Sequence, residues 1–468
     1  MAIPTLREGQ AELPTEHPTQ AFWHTEPNPI LLGRKSELPA TADVVIVGSG
    51  ITGAFAAWHL KQHKEYSNKS VIMLEAREAC WGATGRNGGH CQPNVYNPPS
   101  HIAKFELATF KFLHDAVSCF GIDCDWVTTE GVHSLMTDDL VDNAKAKMEK
   151  LKDHPELSSL ARLVLSSEEL EELGVPSAKA AIVQKNAAAL WPYKLVAFFL
   201  EKLVEGHAEG SFSLQTNTPV LAIQRINGSA SEDSWVLHTP RGQVATSKAL
   251  LCCNGYISHI LPEFTGLVVP VRGQMAGLTP PATLEKQIGH SYVFMGHGNT
   301  DIFRDDYLIQ RGENSGPPRG MFLLGGGRGH DAEKGLGVSD DGVIDNGVAK
   351  YLRTELGREL DIGSKDELGA QYQWTGIMGY SRDGNPWVGP VPETLGGGPG
   401  LWVSGGYTGH GMPVGARCAQ GAVDMMVGVE EGKARVEIPA EFLITEERLK
   451  AIARMDTVHE ADKKGFFM

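Results

Sequence analysis

The pattern that most constrains this chain is G-x-G-x-x-G at 48–53, which follows the apolar run DVVIV at 43–47. The run predicts a buried parallel strand, and the alanine-rich stretch after the glycines predicts a helix to about His63. The first glycine permits a tight turn, the second lets a diphosphate approach the backbone, and the third lets the helix pack close to the strand. A second apolar run at 71–74 ends in Glu75, whose carboxylate can bind ribose hydroxyls. Together these features predict a βαβ unit that holds a dinucleotide at a helix N-terminus.

The segment CWGATGRNGGHCQP at 80–93 comes directly after the predicted ribose-binding strand. Its glycines permit close approach of the backbone, so the segment can run flat along an extended cofactor, and Arg86 can meet phosphate oxygens. Cys80, His90 and Cys91 lack the paired spacing of zinc ligands. We therefore predict a loop that covers a large flat cofactor, and no metal site.

Length and charge limit the classes of protein to consider. At 468 residues, 41% of them apolar, the chain suffices for about two to four domains. Its net charge of −15 argues against a nucleic-acid partner, which requires a clustered basic face. Seven cysteines, an odd number, do not form a disulfide framework. The chain has no apolar run near the roughly 20 residues of a membrane span and no signal-peptide pattern, so we expect a cytoplasmic protein with no membrane span and no nucleic-acid partner.

The order of elements predicts an α/β fold in which the chain leaves the dinucleotide unit, builds a second sheet and returns to the first. Helices are predicted over 101–120, 139–174, 345–360 and before residue 427; strands are predicted over 131–136, 218–226, 234–238, 249–253, 268–278, 306–311, 321–325 and 401–404. The predicted domains are an N-terminal arm over the surface (1–40), a discontinuous cofactor domain (41–124, 206–265 and 366–435), a substrate domain (125–205 and 266–365) and a C-terminal tail (436–468).

A third glycine-rich segment, GGYTGHGM at 405–412, lies between a predicted strand and a predicted helix. This placement directs a helix N-terminus at an electron-rich group, such as the N1 and C2 carbonyl region of a reduced flavin. His410 in this segment fits a local cap as well as a catalytic contact, and both interpretations stay open. The adjacent Cys252 and Cys253 are interpreted as small buried apolar side chains rather than as a redox pair.

With these segments placed, the chain resembles the D-amino-acid oxidase-type FAD-dependent oxidoreductases, most of all the γ-glutamylputrescine oxidoreductase, glycine oxidase and sarcosine oxidase branches. The segments that carry the resemblance occur in the family's order: DVVIVGSGITG (43–53), VIMLEA (71–76), WGATGRNGG (81–89), LLCCNGY (250–256), PVRGQ (270–274), MGYSRDGNPWVG (378–389) and LWVSGGYTGHGM (401–412). The resemblance implies a Rossmann-like FAD-binding domain with an antiparallel-sheet substrate domain, as in glutathione reductase and D-amino-acid oxidase. It also implies hydride transfer from the carbon of a small amine or amino acid to flavin N5, hydrolysis of the imine, and O2 or another electron acceptor.

The motifs and the resemblance together predict the site residues. The predicted FAD-binding residues are Gly48, Ser49, Gly50, Ile51, Thr52, Gly53, Glu75, Ala76, Arg77, Gly82, Ala83, Thr84, Arg86, Asn87, Gly88, Gly89, His90, Val220, Cys253, Asn254, Gly255, Arg272, Gly376, Gly406, Tyr407, Thr408, Gly409, His410, Gly411 and Met412. The predicted catalytic residues are His410, Arg311, Arg328 and Tyr292.

Two departures from the family pattern bear on these expectations. Sarcosine oxidases tether the flavin through a cysteine near the SRDG segment, whereas WTGIMGY at 374–380 has none. We therefore predict noncovalent FAD, with His90 and Cys91 as the remaining candidates for a tether. Amino-acid oxidases bind the substrate carboxylate with an arginine, and Arg311 and Arg328 are the candidates here. For each of them taken singly, a surface arginine without this role is the slightly preferred interpretation. An apolar amine pocket could instead be lined by Tyr292, Phe294, Tyr307 and Trp374.

Three alternatives stay open at this point. One is a flavin hydroxylase fed by a nicotinamide, although GYTGHG differs from the corresponding segment of that group. The second is a protein that holds FAD without amine turnover, and the third is an NAD-dependent dehydrogenase. Neither the substrate nor the choice between oxidase and dehydrogenase follows from the sequence.

Overall fold

The computed structural model describes residues 5–206, 210–226, 234–284, 286–297, 301–312, 320–331, 334–430 and 432–464. The strands are β1 (Thr41–Val47), β2 (Val71–Leu74), β3 (His90–Cys91), β4 (Val127–Leu135), β5 (Ala161–Val164), β6 (Ala180–Ala189), β7 (Phe212–Gln215), β8 (Ala222–Ile226), β9 (Ser234–Thr239), β10 (Gly242–Leu251), β11 (Val268–Leu278), β12 (Ser291–His297), β13 (Asp301–Gln310), β14 (Phe322–Gly325), β15 (Ala370–Ser381), β16 (Trp387–Pro390) and β17 (Leu401–Gly405). The α-helices are α1 (Ile51–Gln62), α2 (Ser100–Phe120), α3 (Asp138–Leu151), α4 (Pro155–Ser158), α5 (Ser167–Glu172), α6 (Pro192–Gly206), α7 (Ile257–Ile260), α8 (Asn346–Thr354), α9 (Leu356–Glu359), α10 (Gly415–Val427), α11 (Glu446–Ile452) and α12 (Val458–Lys463).

The first sheet has the strand order β16-β17-β10-β1-β2-β7, and the β8-β9 hairpin extends from β10. Strands β17, β10, β1, β2 and β7 are parallel, so their carboxyl ends meet at one edge. The predicted buried strand is β1, in which Val44, Val45 and Ile46 are fully buried. A side chain at Gly53 would overlap the carbonyl oxygen of Gly48, so the third glycine of the motif permits the close approach of α1 to β1.

The second sheet has the order β15-β11-β14-β13-β12-β4-β6-β3, with β5 paired to β6. Its described strand pairs are antiparallel except β4 and β12, which are parallel. Strand β3 pairs with the end of β6, so the loop that leaves β2 crosses from the first sheet to the second. Strand β15 pairs along its length with β11, although the predicted boundary at 366 assigns it to the cofactor domain. The domain boundaries stay a prediction.

The N-terminal arm is more deeply embedded than the sequence suggests. Phe22 and Trp23 are fully buried, and their rings pack against Trp191. The indole Nε1 of Trp191 donates to the carbonyl oxygen of Trp23 at 2.9 Å. The expectation of an arm over the surface is therefore wrong for this aromatic pair, because two large apolar side chains are removed from water there.

The stretch predicted as helical over 139–174 is also interrupted. It contains α3, α4 and α5, but β5 at Ala161–Val164 pairs with β6 in the second sheet. Pairing with a long neighbouring strand outweighs the helical propensity of these few residues. Within the described part of the chain, no helix is both long and apolar enough to cross a membrane.

Candidate active site

A cavity of about 480 Å³ lies between the carboxyl edge of the first sheet and one face of the second. Its walls come from the turn after β1, the end of β2, the loop that leads to β3, and the turn after β17. This volume is within the range of about 300–1,000 Å³ that is typical of small-molecule sites. The crevice outside the ends of parallel strands is also where α/β proteins bind their ligands.

One end of the cavity is built on Glu75, which follows β2. Its carboxylate accepts hydrogen bonds from Ser49 N at 3.0 Å, Ser49 Oγ at 2.6 Å and Arg77 N at 2.9 Å. The backbone N–H of Ile51 donates to Thr84 Oγ1 at 3.0 Å, which ties the loop after β2 to the start of α1. Donors in the first turn of a helix have no intrahelical acceptor, so this end of α1 presents N–H groups to the cavity.

Two arginines of the same end share one carboxylate. Arg77 Nη1 lies 2.8 Å from Asp341 Oδ1, and Arg86 Nε lies 3.1 Å from Asp341 Oδ2, all three side chains being buried. Burial lowers the pKa of Arg86 to about 10, against the opposing effect of Asp341, and leaves it charged at neutral pH. Arg86 Nη1 is buried and has no hydrogen-bond partner among the described residues. The unpartnered Nη1 of Arg86 is thus a buried cationic donor that an anionic ligand could use.

The other end of the cavity carries His90 and His410. The ring of His90 stacks on Tyr307 with 6.1 Å between centroids, and its Nε2 is buried without a hydrogen-bond partner in the described structure. His410 Nε2 lies 2.8 Å from Glu106 Oε2. Burial disfavours protonation of His410, but the charge and the hydrogen bond of Glu106 outweigh burial and raise the pKa of His410. This end can therefore hold a proton at His410.

From His90 a polar wall extends across the face of the second sheet. Gln92 Nε2 lies 2.5 Å from His133 Nε2, and the Tyr96 hydroxyl lies 2.6 Å from His133 Nδ1. Burial is the main cause that lowers the pKa of His90 to about 4 and of His133 to about 3. Both imidazoles are accordingly neutral at pH 7 and act in this wall as hydrogen-bonding groups.

Residues 43–425 match the protein family described as FAD dependent oxidoreductase, DAO. The match covers most of the chain, including every segment that borders the cavity except the N-terminal arm. The chain belongs to this family. It is therefore an FAD-dependent oxidoreductase, and the resemblance inferred from its motifs is confirmed.

Curated relatives and solved structures agree with this assignment. A probable oxidoreductase OrdL of Rhizobium meliloti is 23% identical over 402 residues, which cover 83% of each chain. A glycine oxidase from Geobacillus kaustophilus has a TM-score of 0.66 at 17% identity, covering 87% of this chain and 99% of its own. An L-amino acid deaminase from Proteus vulgaris has a TM-score of 0.66 at 17% identity, covering 89% of this chain and 98% of its own. At these identities the structural likeness establishes the fold: a Rossmann-like domain combined with a second sheet.

The cavity fits FAD on two observations. Arg86 Nη1 is a buried cationic donor without a partner among the described residues, and it lies in the wall of the cavity, where it could donate to a diphosphate. The turn at Gly50 leaves little space for a side chain, since a Cβ there would lie 3.0 Å from Thr84 Oγ1. A close backbone approach and a positive end are the two requirements of a diphosphate at a helix N-terminus.

The structure brings most of the predicted site residues to this one cavity. Those that line it are Gly48, Ser49, Gly50, Ile51, Thr52, Glu75, Ala76, Arg77, Gly82, Ala83, Thr84, Arg86, Asn87, Gly88, His90, Val220, Cys253, Asn254, Gly376, Arg328, Tyr407, Thr408, Gly409, His410, Gly411 and Met412. Those that do not line it are Gly53, Gly89, Gly255, Arg272, Gly406, Arg311 and Tyr292. The glycines of the second group pack the backbone behind the lining loops; a side chain at Gly89, for example, would meet the Trp23 ring.

The two candidate arginines lie in different surroundings. Arg311 is buried outside the cavity, where its guanidinium pairs with Asp125 at 2.9 Å and lies over the rings of Phe22 and Trp191. Arg328 lines the cavity, with Nη2 3.3 Å from Asp462 Oδ1. Of the two, Arg328 is the one placed to reach a ligand.

Two other predicted site residues lie outside the cavity and make contacts with other parts of the chain. The hydroxyl of Tyr292 donates to the carbonyl oxygen of Leu173 at 3.0 Å, and its ring stacks on Phe294. The guanidinium of Arg272 pairs with Asp331 at 3.0 Å. Neither side chain is directed at the cavity, so the expectation that Tyr292 lines an amine pocket has no support in its position.

Several cavity residues carry no motif and were missed by sequence reasoning. They are Gln92, Asn94, Tyr96, Asn97, His133, Lys147, Gln184 and Met275. They come from the segment between β3 and α2, from strands of the second sheet and from α3, and these parts of the chain are far apart in the sequence. The absence of a side chain at Gly131 makes room for Gln92, but this contact is visible only in the structure. Tyr307, a predicted pocket residue, does line the cavity, whereas Phe294 and Trp374 do not.

Proposed function

We propose that this FAD-dependent oxidoreductase oxidises the C–N bond of a small amine or amino acid, and that it holds FAD noncovalently. The observation that carries the proposal is that one cavity joins the dinucleotide end at Glu75 to a polar, ring-lined end at His90, Tyr307 and His410. FAD supplies the hydride acceptor when it is bound. Two structural relatives, a glycine oxidase and an L-amino acid deaminase, support the same class of substrate.

The chain's own residues hold the cofactor in this proposal. Glu75 accepts from the ribose hydroxyls, the start of α1 and Arg86 face the diphosphate, and the loops at 82–90 and 405–412 flank the flavin ring. None of the seven cysteines is needed for attachment. Cys91 is fully buried and its pKa is raised by burial, so the thiol is a poor nucleophile for a tether.

His410 is the proposed proton acceptor for the substrate ammonium group. An amine must be neutral to release a hydride, and Glu106, which raises the pKa of His410, makes this histidine a stronger base for that proton. Arg328 is the proposed contact for a carboxylate next to the reacting carbon, because it lines the cavity while Arg311 does not.

The decisive experiment is an anaerobic visible spectrum of the purified protein, recorded before and after addition of amines and amino acids. We expect flavin bands that bleach with some of these compounds. Denaturation should then release the flavin into the supernatant, as noncovalent binding requires. Flavin bands that no amine bleaches would contradict the proposal. Reoxidation in air, compared with reoxidation by an artificial acceptor, reports whether O2 serves as the electron acceptor.

A further inference from the structure

The polar wall beyond His90 has a composition that C–N oxidation alone does not require. It continues from Gln92, His133 and Tyr96 to Asn97, and it ends at Lys147 on α3. Gln92 is more than nine-tenths buried, and its Oε1 has no hydrogen-bond partner within the described ranges. A buried amide oxygen that faces a cavity without a partner is a position where a ligand donor is expected.

Lys147 is the charged group of this wall. Its ammonium donates to Asn97 Oδ1, and burial lowers its pKa. Two nearby lysines pair with carboxylates: Lys145 of α3 with Asp142 at 3.1 Å, and Lys152, just after the helix, with Glu149 at 2.5 Å. Lys150 of α3 is exposed and has no ion pair among the described residues. No ion pair found among the described residues involves Lys147. An ammonium group has three donors, so Lys147 can donate to a further acceptor in the cavity.

The other cations of the cavity are engaged elsewhere. Arg77 and Arg86 share Asp341 at the dinucleotide end, and Arg328, which contacts Asp462, is assigned above to a carboxylate next to the reacting carbon. His90 and His133 are neutral at pH 7 for the reason given above. A half-buried positive charge without a carboxylate partner costs free energy, which a negatively charged ligand would offset.

We propose that this wall binds the end of the substrate remote from the reacting C–N bond, and that this end carries a carboxylate held by Lys147. The inference rests on the proposed function and names its substrate class: amines with a distal carboxylate, oriented with the amine at His410 and the carboxylate at Lys147. Gln92, Tyr96 and Asn97 then contact polar groups along the chain between the two ends.

The test compares straight-chain ω-amino acids of increasing length with n-alkylamines of the same length and with α-amino acids. The proteins are the wild type, Lys147→Gln, Lys147→Arg and the matched control Lys145→Gln, each as purified holoprotein. One readout is the rate of anaerobic flavin bleaching. A second is the Kd of straight-chain carboxylates that lack an amine, obtained from the shift they cause in the flavin spectrum.

We expect the wild type to prefer ω-amino acids over alkylamines, and Lys147→Gln to lose about tenfold or more in carboxylate affinity. Lys147→Arg should restore part of the loss, and Lys145→Gln should not change the affinity. Equal affinities in wild type and Lys147→Gln, or an equal loss in Lys145→Gln, would overturn the inference. If no amine bleaches the flavin while Lys147→Gln still loses carboxylate binding, the proposed function fails and the anion site stands.

Discussion

At the scale of single residues, Gly50, the second glycine of the motif, packs against the loop that follows β2. A Cβ on Gly50 would lie 3.0 Å from Thr84 Oγ1, so the branched side chain of valine would displace Thr84, which accepts from Ile51 N at the start of α1. We expect Gly50→Val to purify without flavin while keeping its far-ultraviolet circular dichroism. The matched control is Gly369→Val, because no atom lies within 4 Å of a Cβ at that exposed glycine. A Gly50→Val protein with full flavin absorbance would contradict the assignment.

The Glu106–His410 pair gives a second prediction at this scale. Glu106 raises the pKa of His410, so Glu106→Gln should lower that pKa. If neutral His410 accepts the amine proton, activity falls as the pH drops through its pKa, and in Glu106→Gln this fall should occur at lower pH. The check is the pH dependence of flavin bleaching. The control is Glu441→Gln, which removes the exposed pair with His101 and should leave the pH profile unchanged. An unshifted pH profile in Glu106→Gln would show that His410 is not the proton acceptor.

At the scale of elements, α1 and α10 are joined by a buried cluster. Asp424 Oδ1 lies 3.0 Å from His59 Nε2 and 3.3 Å from His63 Nε2, and Asp424 Oδ2 accepts from Arg435 N at 2.9 Å. These three side chains are close enough together to bind a metal cation. However, the Arg435 guanidinium lies 3.4 Å from His59 Nδ1, and its positive charge would repel a bound cation. We interpret the cluster as a hydrogen-bonded link that fixes α1, and with it the start of α1 at the cavity.

Removal of the central carboxylate tests this link. Asp424→Ala should lower the free energy of unfolding by about 3 kcal/mol at pH 7, as expected for breaking a buried pair. Burial opposes ionisation of Asp424, but its hydrogen bonds and the imidazoles outweigh burial, so its pKa is lowered. Its contribution is present above the unfolded pKa and is lost as the pH falls through the folded pKa. Urea unfolding at several pH values measures this, with Asp142→Ala, an exposed i,i+3 partner of Lys145, as the control.

At the scale of the whole molecule, the N-terminal arm closes the dinucleotide end of the cavity. Leu13 and Pro14 line it, and Ala11 is held in place by Ser258 Oγ at 3.0 Å. A carboxylate at position 13 would repel the diphosphate, so Leu13→Asp should raise the Kd of FAD by about tenfold. The same change at Leu6, which is 38% exposed, is the control. Equal FAD affinity in both variants, by equilibrium titration of the apoprotein, would show that the arm does not contribute to retention.

The features that the sequence predicted are those that depend on residues close together along the chain. The turn at 48–53, the carboxylate of Glu75 and the loops at 82–90 and 405–412 are local patterns, and each occurs at the cavity where its chemistry requires it. The strand β5 within a helical stretch and the burial of Trp23 were not predicted, since both depend on partners far along the chain.

The sequence by itself determined the FAD-dependent family and predicted the residues of the dinucleotide end, because backbone turns, glycines and helix starts are encoded within a few neighbouring residues. Only the tertiary structure decided which side chains face the substrate. Arg328 lines the cavity and Arg311 does not, although the sequence gives both the same standing. His133 and Lys147 meet on the wall because the second sheet and α3 pack together, and no spacing along the chain encodes that meeting.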